Sequence, residues 1–138
     1  MTKILIVDDH QCVRELVSEE LTFEGYRVIE AGDPESLRGH LIFSRPDLVL
    51  LDLYLDGAEG FELLHDIKKQ NPDLPVIIFT AYDSFADDPR RSQADGYVIK
   101  SVVFDELKGK IADVLCRKAE SEALAVKRQC AGLGPAYG

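Results

Sequence analysis

Lys3-Ile4-Leu5-Ile6-Val7-Asp8-Asp9 opens the chain on a short apolar run that stops at two acids. Four similar runs follow, at residues 26–31, 47–51, 76–79 and 97–99. All are rich in Val, Ile, Leu or aromatic residues. Near-continuous apolar strands of this length are buried on both faces, as in parallel sheets. Helical patterns separate them. Val13, Leu16, Val17 and Leu21 form one apolar stripe, with Gly25 as its stop. Asp33-Pro34 reads as the N-cap and first residue of a second helix, with Leu37 and Leu41 inward and Arg45-Pro46 ending it. Phe61, Leu64 and Ile67 give a third stripe, closed by Asn71-Pro72. Phe104, Leu107, Ile111, Val114 and Leu115 give a long last one. A β-α unit repeated five times predicts an α/β fold, a doubly wound five-stranded parallel sheet with five helices.

The fourth helix is the weak element. Residues 85–95 carry almost no apolar stripe, and Pro89 excludes one uninterrupted helix there. Asp88-Pro89 predicts a short, polar helix over about residues 89–94. The last helix is expected to run to about Lys127, and the Gly- and Pro-containing end beyond it to be a disordered tail or linker. The expected organisation is one domain over residues 1–116 and an extension over 117–138.

The 138 residues suit one hydrophobic core. The longest apolar runs are far too short to cross a bilayer, and the start of the chain lacks the shape of a signal peptide. Cys12, Cys116 and Cys130 have neither a disulfide framework nor zinc spacing and read as free thiols of a reducing compartment. These features predict a cytoplasmic protein. The net charge is −9; residues 1–116 hold 23 acids against 12 bases. That balance argues against direct nucleic-acid binding, which needs a basic face, and suits carboxylates gathered around a divalent cation.

In open α/β sheets, functional groups collect at the carboxyl ends of the strands. Here the strands end in Asp8-Asp9, Asp52, Thr80 and Lys100. Each residue alone is commonplace, since an Asp after a strand is usually a cap. Three carboxylates, a hydroxyl and an ammonium facing one crevice are a different matter. Crowded carboxylates repel, and a hard dication such as Mg²⁺ relieves the repulsion while keeping sites for phosphate oxygens. A carboxylate can also attack phosphorus and form an aspartyl phosphate.

Ile4-Leu5-Ile6-Val7-Asp8-Asp9, Leu50-Leu51-Asp52-Leu53, Thr80-Ala81, Gly96-Tyr97 and Lys100, with Gly60 eight residues after Asp52, together resemble the receiver domains of bacterial response regulators. The resemblance covers about residues 2–116. It implies the strand order 2-1-3-4-5 and makes Asp52 the phosphoacceptor. Asp9 and Asp52 would ligate Mg²⁺, with Mn²⁺ as the alternative ion, Asp8 would reach it through water, and the Tyr54 carbonyl would be a further ligand. Lys100 and Thr80 would hold phosphoryl oxygens, and Ala81 would leave room for them. Thr80 and Tyr97 would form the switch, although pattern alone reads Tyr97 equally well as a half-buried strand aromatic. The donor would be a histidine kinase or phosphotransfer protein. The domain would be a signalling phosphoacceptor that assists its own phosphorylation and dephosphorylation, as a monomer or weak homodimer.

Several residues depart from the family pattern. Ser101 follows Lys100 where proline is common. Asp56 replaces a common proline and reads as a turn residue or an outer-sphere metal contact. Tyr54 and Tyr82 flank the site at rate-tuning positions and are expected to obstruct the attacking water. His10, His40 and His65 are scattered and read as incidental. A flavodoxin-like binding module would need glycines or hydroxyls after the first strand, where acids stand. A haloacid-dehalogenase-type phosphatase would need a second acid two residues after its nucleophile, where Tyr54 stands. A degenerate receiver acting as an interaction module stays open. So does the output, either a downstream protein or a further domain of a larger regulator or hybrid kinase.

Overall fold

A computed structural model describes the backbone of residues 1–55, 58–81, 87–101 and 103–137, with side chains for these except 58–59 and 125–137. Asp56 and Tyr82, and the Cys130 side chain, lie outside the described residues. The elements are β1 (Lys3–Val7), α1 (Gln11–Phe23), β2 (Arg27–Ala31), α2 (Pro34–Phe43), β3 (Leu48–Leu51), β4 (Tyr54–Leu55), β5 (Ala58–Glu59), α3 (Gly60–Gln70), β6 (Val76–Thr80), a 3₁₀ turn (Pro89–Gln93), β7 (Gly96–Ile99) and α4 (Asp105–Tyr137).

The main sheet is parallel, in the order β2-β1-β3-β6-β7. Without the small hairpin β4–β5 this is the anticipated 2-1-3-4-5. The hairpin itself, antiparallel with Tyr54 opposite Glu59, was not anticipated. Two residues per strand carry no readable period.

Alternation along the strands builds two cores. Ile4 and Ile6 of β1 join Leu48, Leu50, Ile77 and Phe79 beneath α1 and α4, with Val17, Leu21, Leu107 and Ile111 from the helices. Leu5 and Val7 join Val49, Leu51 and Ile78 on the opposite face, with Leu37, Leu64 and Ile67 from α2 and α3. Buried aliphatic side chains contribute about 1.5–3 kcal/mol each in removal from water, so the central strands are firmly seated. Local signals act as read. The Asp33 carboxylate accepts from Ser36 N at 2.7 Å, with Pro34 in the first turn. Gly25 takes φ +96°, beyond the end of α1.

The helix count needs correction: four α-helices and one 3₁₀ turn are present among the described residues, not five helices. Pro89–Gln93 is capped by Asp88, whose carboxylate accepts from Arg90 N at 2.9 Å. None of its side chains is buried, so nothing extends it into a packed α-helix. Its arginines stack outward onto neighbours, Arg90 over Phe61 at 4.3 Å and Arg91 over Tyr97 at 4.8 Å. The backbone of α4 continues to Tyr137, past the neighbourhood of Lys127. No helix among the described residues is long and apolar enough to cross a membrane.

Candidate functional site

Parallel pairing brings the strand ends together. Val7 pairs with Leu51, so the residues that follow, Asp8 and Asp52, emerge side by side. Asp52 N donates to Val7 O at 3.0 Å, and Lys100 N donates to Thr80 O at 2.7 Å. These bonds extend the sheet one step into the site and fix the backbone beneath each functional side chain.

Three polar side chains are buried here: Asp8 at 2%, Asp52 at 5% and Thr80 at 0% exposure. The Lys100 ammonium bridges the two acids, 2.5 Å from Asp8 Oδ2 and 3.1 Å from Asp52 Oδ2. Tyr54 N donates to Asp52 Oδ1 at 3.1 Å. Burial pushes the Asp52 carboxyl above its ordinary value. Lys100 and the Tyr54 amide pull it back, and the Asp8 charge pushes it up again.

Asp9 completes the acid cluster. Its Oδ1 is buried and accepts no hydrogen bond among the described residues. Ligand atoms of Asp8, Asp9, His10 and Asp52 all lie within 4.8 Å of one another. Three carboxylates against one ammonium leave a formal charge of −3 + 1 = −2. An orphaned buried oxygen in an oxygen-rich pocket of charge −2 fits a hard divalent cation.

Gly60 shapes the loop after Asp52. A Cβ there would lie 2.3 Å from Leu53 Cα and 2.7 Å from Leu53 O. Gly60 N donates to that same carbonyl at 3.1 Å. The start of α3 is thus pressed onto the residue beside Asp52, an approach open only to glycine. Ala81, exposed, follows Thr80 at the end of β6. Tyr54 is 46% exposed on β4, two residues after Asp52. Tyr97 is half-buried on β7, paired with Ile78 and packed against the α2–α3 core. Every described peptide bond is trans, Lys100–Ser101 included.

Matches to known proteins agree with this arrangement. The family model described as "Response regulator receiver domain" matches residues 4–112. The chain belongs to the response-regulator receiver family. It is 37% identical to the probable transcriptional regulatory protein TcrX of Mycobacterium tuberculosis, over 75% of this chain and 45% of that protein. It is 32% identical to the response regulator MprA of a Mycobacterium species, over 87% of this chain and 53% of the relative. The chain thus spans about half the length of the curated relatives it matches. Among solved structures, TrrA of Thermotoga maritima, in complex with Mg²⁺-BeF, superposes with a TM-score of 0.79 at 39% identity, covering 83% of this chain and 99% of that one. TrrA has also been solved in complex with the histidine kinase ThkA, with a TM-score of 0.78 at 40% identity and the same coverages. As a receiver domain, the chain is a component of two-component signalling.

Of the site residues read from sequence, Asp8, Asp9, Asp52 and Lys100 meet in one cluster, and Thr80 ends the adjoining strand. Two neighbours were not anticipated as part of it. His10, read as incidental, places Nδ1 2.9 Å from Asp9 Oδ1 and 3.3 Å from Asp8 Oδ1. Its only sequence signal is that it directly follows the acid pair. Arg14, one turn into α1, donates from Nη1 to Asp8 O at 2.7 Å and lies 3.4 Å from Glu30 through Nε. It braces the backbone of the loop. His40 instead meets Ser44 at the end of α2, and His65 is exposed on α3.

Proposed function

We propose that the chain accepts a phosphoryl group on Asp52 from the phosphohistidine of a histidine kinase or phosphotransfer protein, and signals by the resulting change in shape. The supporting observation is the acid cluster of Asp8, Asp9 and Asp52, with its formal charge of −2 and a buried Asp9 oxygen that accepts no hydrogen bond among the described residues. Asp9, Asp52 and the Tyr54 carbonyl would hold Mg²⁺, with Asp8 acting through water; Mn²⁺ is the alternative ion. Bound there, the ion would neutralise charge on the transferring group.

The residues of the chain divide the remaining work. An Asp52 carboxylate oxygen attacks phosphorus in line; the O–P bond forms as the N–P bond breaks, and the imidazole leaves with the bonding pair. Burial keeps Asp52 poorly solvated, so little water must be stripped from it before attack. Lys100 releases its hold on the carboxylates and turns its ammonium to a phosphoryl oxygen, a point charge with three donors. The Thr80 hydroxyl donates to another oxygen, and Ala81 leaves the space open. Tyr97 moves with Thr80 and carries the change to the face formed by β7 and the 3₁₀ turn.

Residues 1–116 would form the receiver, and residues 117–138 the helical extension toward whatever reads its state. That reader is a downstream protein or an output domain, consistent with relatives about twice as long. The kinase complex of TrrA supports a kinase as donor. The domain would act in the cytoplasm, as a monomer or weak homodimer, without contacting nucleic acid itself.

Titration with Mg²⁺ and beryllofluoride, followed by amide NMR, tests the reading. Resonances of Asp9, Asp52, Thr80 and Lys100 are expected to shift in the wild type and stay in place in Asp52→Asn. An unresponsive wild type would contradict the proposal.

A further inference from the structure

We propose that the exposed face of α4 pairs with the same face of a second copy of this chain, as a parallel, in-register two-stranded coiled coil. The pairing goes beyond the open choice between monomer and weak dimer, and it rests on none of the chemistry at Asp52. α4 spans 33 residues, about 50 Å. Its buried stripe is Leu107, Ile111 and Val114, and from Ser121 to Leu124 every side chain is exposed. The helix therefore runs on past the core that holds its first turns. A helical segment without a packed face is marginal in water, so the continuation needs a partner of its own.

A second apolar stripe runs along α4. Ala112, Cys116, Ala119 and Ala123 are all exposed, on the far side of the helix from Leu107, Ile111 and Val114. Val126, Cys130 and Leu133 take the next positions at the same spacing. Steps of four and three residues alternate without a break over three heptads, from Ala112 to Leu133. That repeat is the seam of a left-handed coiled coil.

Charge then selects the occupant. Cys116, Ala123 and Cys130 stand at a positions of the heptad, and Ala112, Ala119, Val126 and Leu133 at d positions. Glu122 is then a g residue and Lys127 the e residue that faces it across a parallel dimer. Leu115 at g faces Glu120 at e, so no like charges oppose each other along this stretch. A second copy supplies both halves of each pair. The small seam residues bury little apolar area, which suits a reversible dimer rather than an obligate one.

Sedimentation velocity on the full chain tests the pairing, in reducing buffer without metal or phosphoryl donor, over a micromolar to submillimolar series. A concentration-dependent monomer–dimer equilibrium is expected. Ala123→Glu sets two carboxylates against each other at the seam and should weaken the dimer about tenfold or more. Leu124→Gln removes a larger exposed apolar group at a b position, off the seam, and should leave the dimer unchanged. Both positions are exposed, so both variants are expected to fold, and a thermal melt checks this. Orientation is read in Cys12→Ser treated with diamide, which is reduced to its hydrazine as two thiols form a disulfide. Cys116 Sγ, 3.7 Å from Glu120 of its own helix, stays exposed to react. Facing a positions bring Cα atoms within the span of a disulfide, about 4.4–6.8 Å. The expected cross-links between chains are Cys116 to Cys116 and Cys130 to Cys130. A chain monomeric at every concentration, a dimer indifferent to Ala123→Glu or weakened equally by Leu124→Gln, or Cys116–Cys130 cross-links in place of the matched ones would each overturn the proposal.

Discussion

Replacing Lys100 by Met keeps most of the side-chain volume and removes only the ammonium. The two acids it bridges, Asp8 and Asp52, are 2% and 5% exposed. Their oxygens lie 2.5 and 3.1 Å from Nζ, and the Lys100 side chain is itself only 16% exposed. At an effective dielectric constant near 20, each contact has a gross Coulomb energy of about 4 kcal/mol or more. Desolvation of the ammonium offsets much of that. The net cost of leaving a buried charge without its partner is about 3–5 kcal/mol. Because the Lys100 side chain keeps 16% exposure, the lower end applies, about 3 kcal/mol. For a domain of this size that is a fall in Tm of roughly 10 °C. The loss has a pH signature. Lys100 lowers the Asp52 pKa, so without it Asp52 holds its proton to higher pH. The deficit of Lys100→Met against wild type should be large at pH 7.5 in EDTA and shrink toward pH 4.5, as the carboxyls take up protons. Millimolar Mg²⁺ should also shrink it, by supplying the missing positive charge. Thermal melts under the three conditions are the assay. A variant as stable as wild type at pH 7.5 in EDTA, or a deficit independent of pH, would refute the reasoning.

Three further outcomes follow from the same site. Asp52→Asn should stabilise the metal-free fold, since burial raises the Asp52 pKa above 3.8 and the folded state binds that proton more tightly than the unfolded one. Wild-type stability then falls as pH rises from about 3.8 through the folded value, and the advantage of Asn should grow over that window and level off above it; an advantage that shrank with pH would reverse the sign of the argument. Gly60→Ala forces a Cβ to within 2.3 Å of Leu53 Cα and should cost about 2–3 kcal/mol in denaturant melts, with weakened Mg²⁺ binding because the Asp52 loop moves; a neutral result would mean the α3 start is free to shift. Tyr54→Asn, alone or with Tyr82→Glu, should shorten the phosphoryl lifetime several-fold in a phosphate-release assay, as an aromatic beside Asp52 gives way to a group that can orient water; an unchanged lifetime would remove Tyr54 as a barrier.

The fold was legible in the sequence because its central strands are short, uninterrupted and apolar. Ile4 and Ile6 alternate with Leu5 and Val7 between two cores, and both sets are covered by helices whose stripes are clear. What escaped had no periodic signal: a hairpin of two residues per strand. The short polar element at Pro89–Gln93 was legible from Asp88-Pro89, but its 3₁₀ form and the arginines stacked on Phe61 and Tyr97 were not. In the site, acids and lysine were legible because each ends a strand. Their arrangement was not. That Lys100 grips Asp8 from 92 residues away, more closely than Asp52, depends on side-chain packing that spacing does not carry. Gly60 was noticed only by position, and its reason, the Leu53 backbone, needs three dimensions. His10 was dismissed because histidines were weighed by their scatter along the chain rather than by what stands next to each.

The central claim is that Asp52 carries the phosphoryl group. Incubation with Mg²⁺ and acetyl phosphate, borohydride trapping of the acyl phosphate and peptide mass spectrometry test it directly. The account predicts one modified residue, Asp52, with labelling lost in EDTA and in Asp52→Asn. Stoichiometric labelling that persists in Asp52→Asn, or a trapped residue elsewhere in the chain, would contradict it.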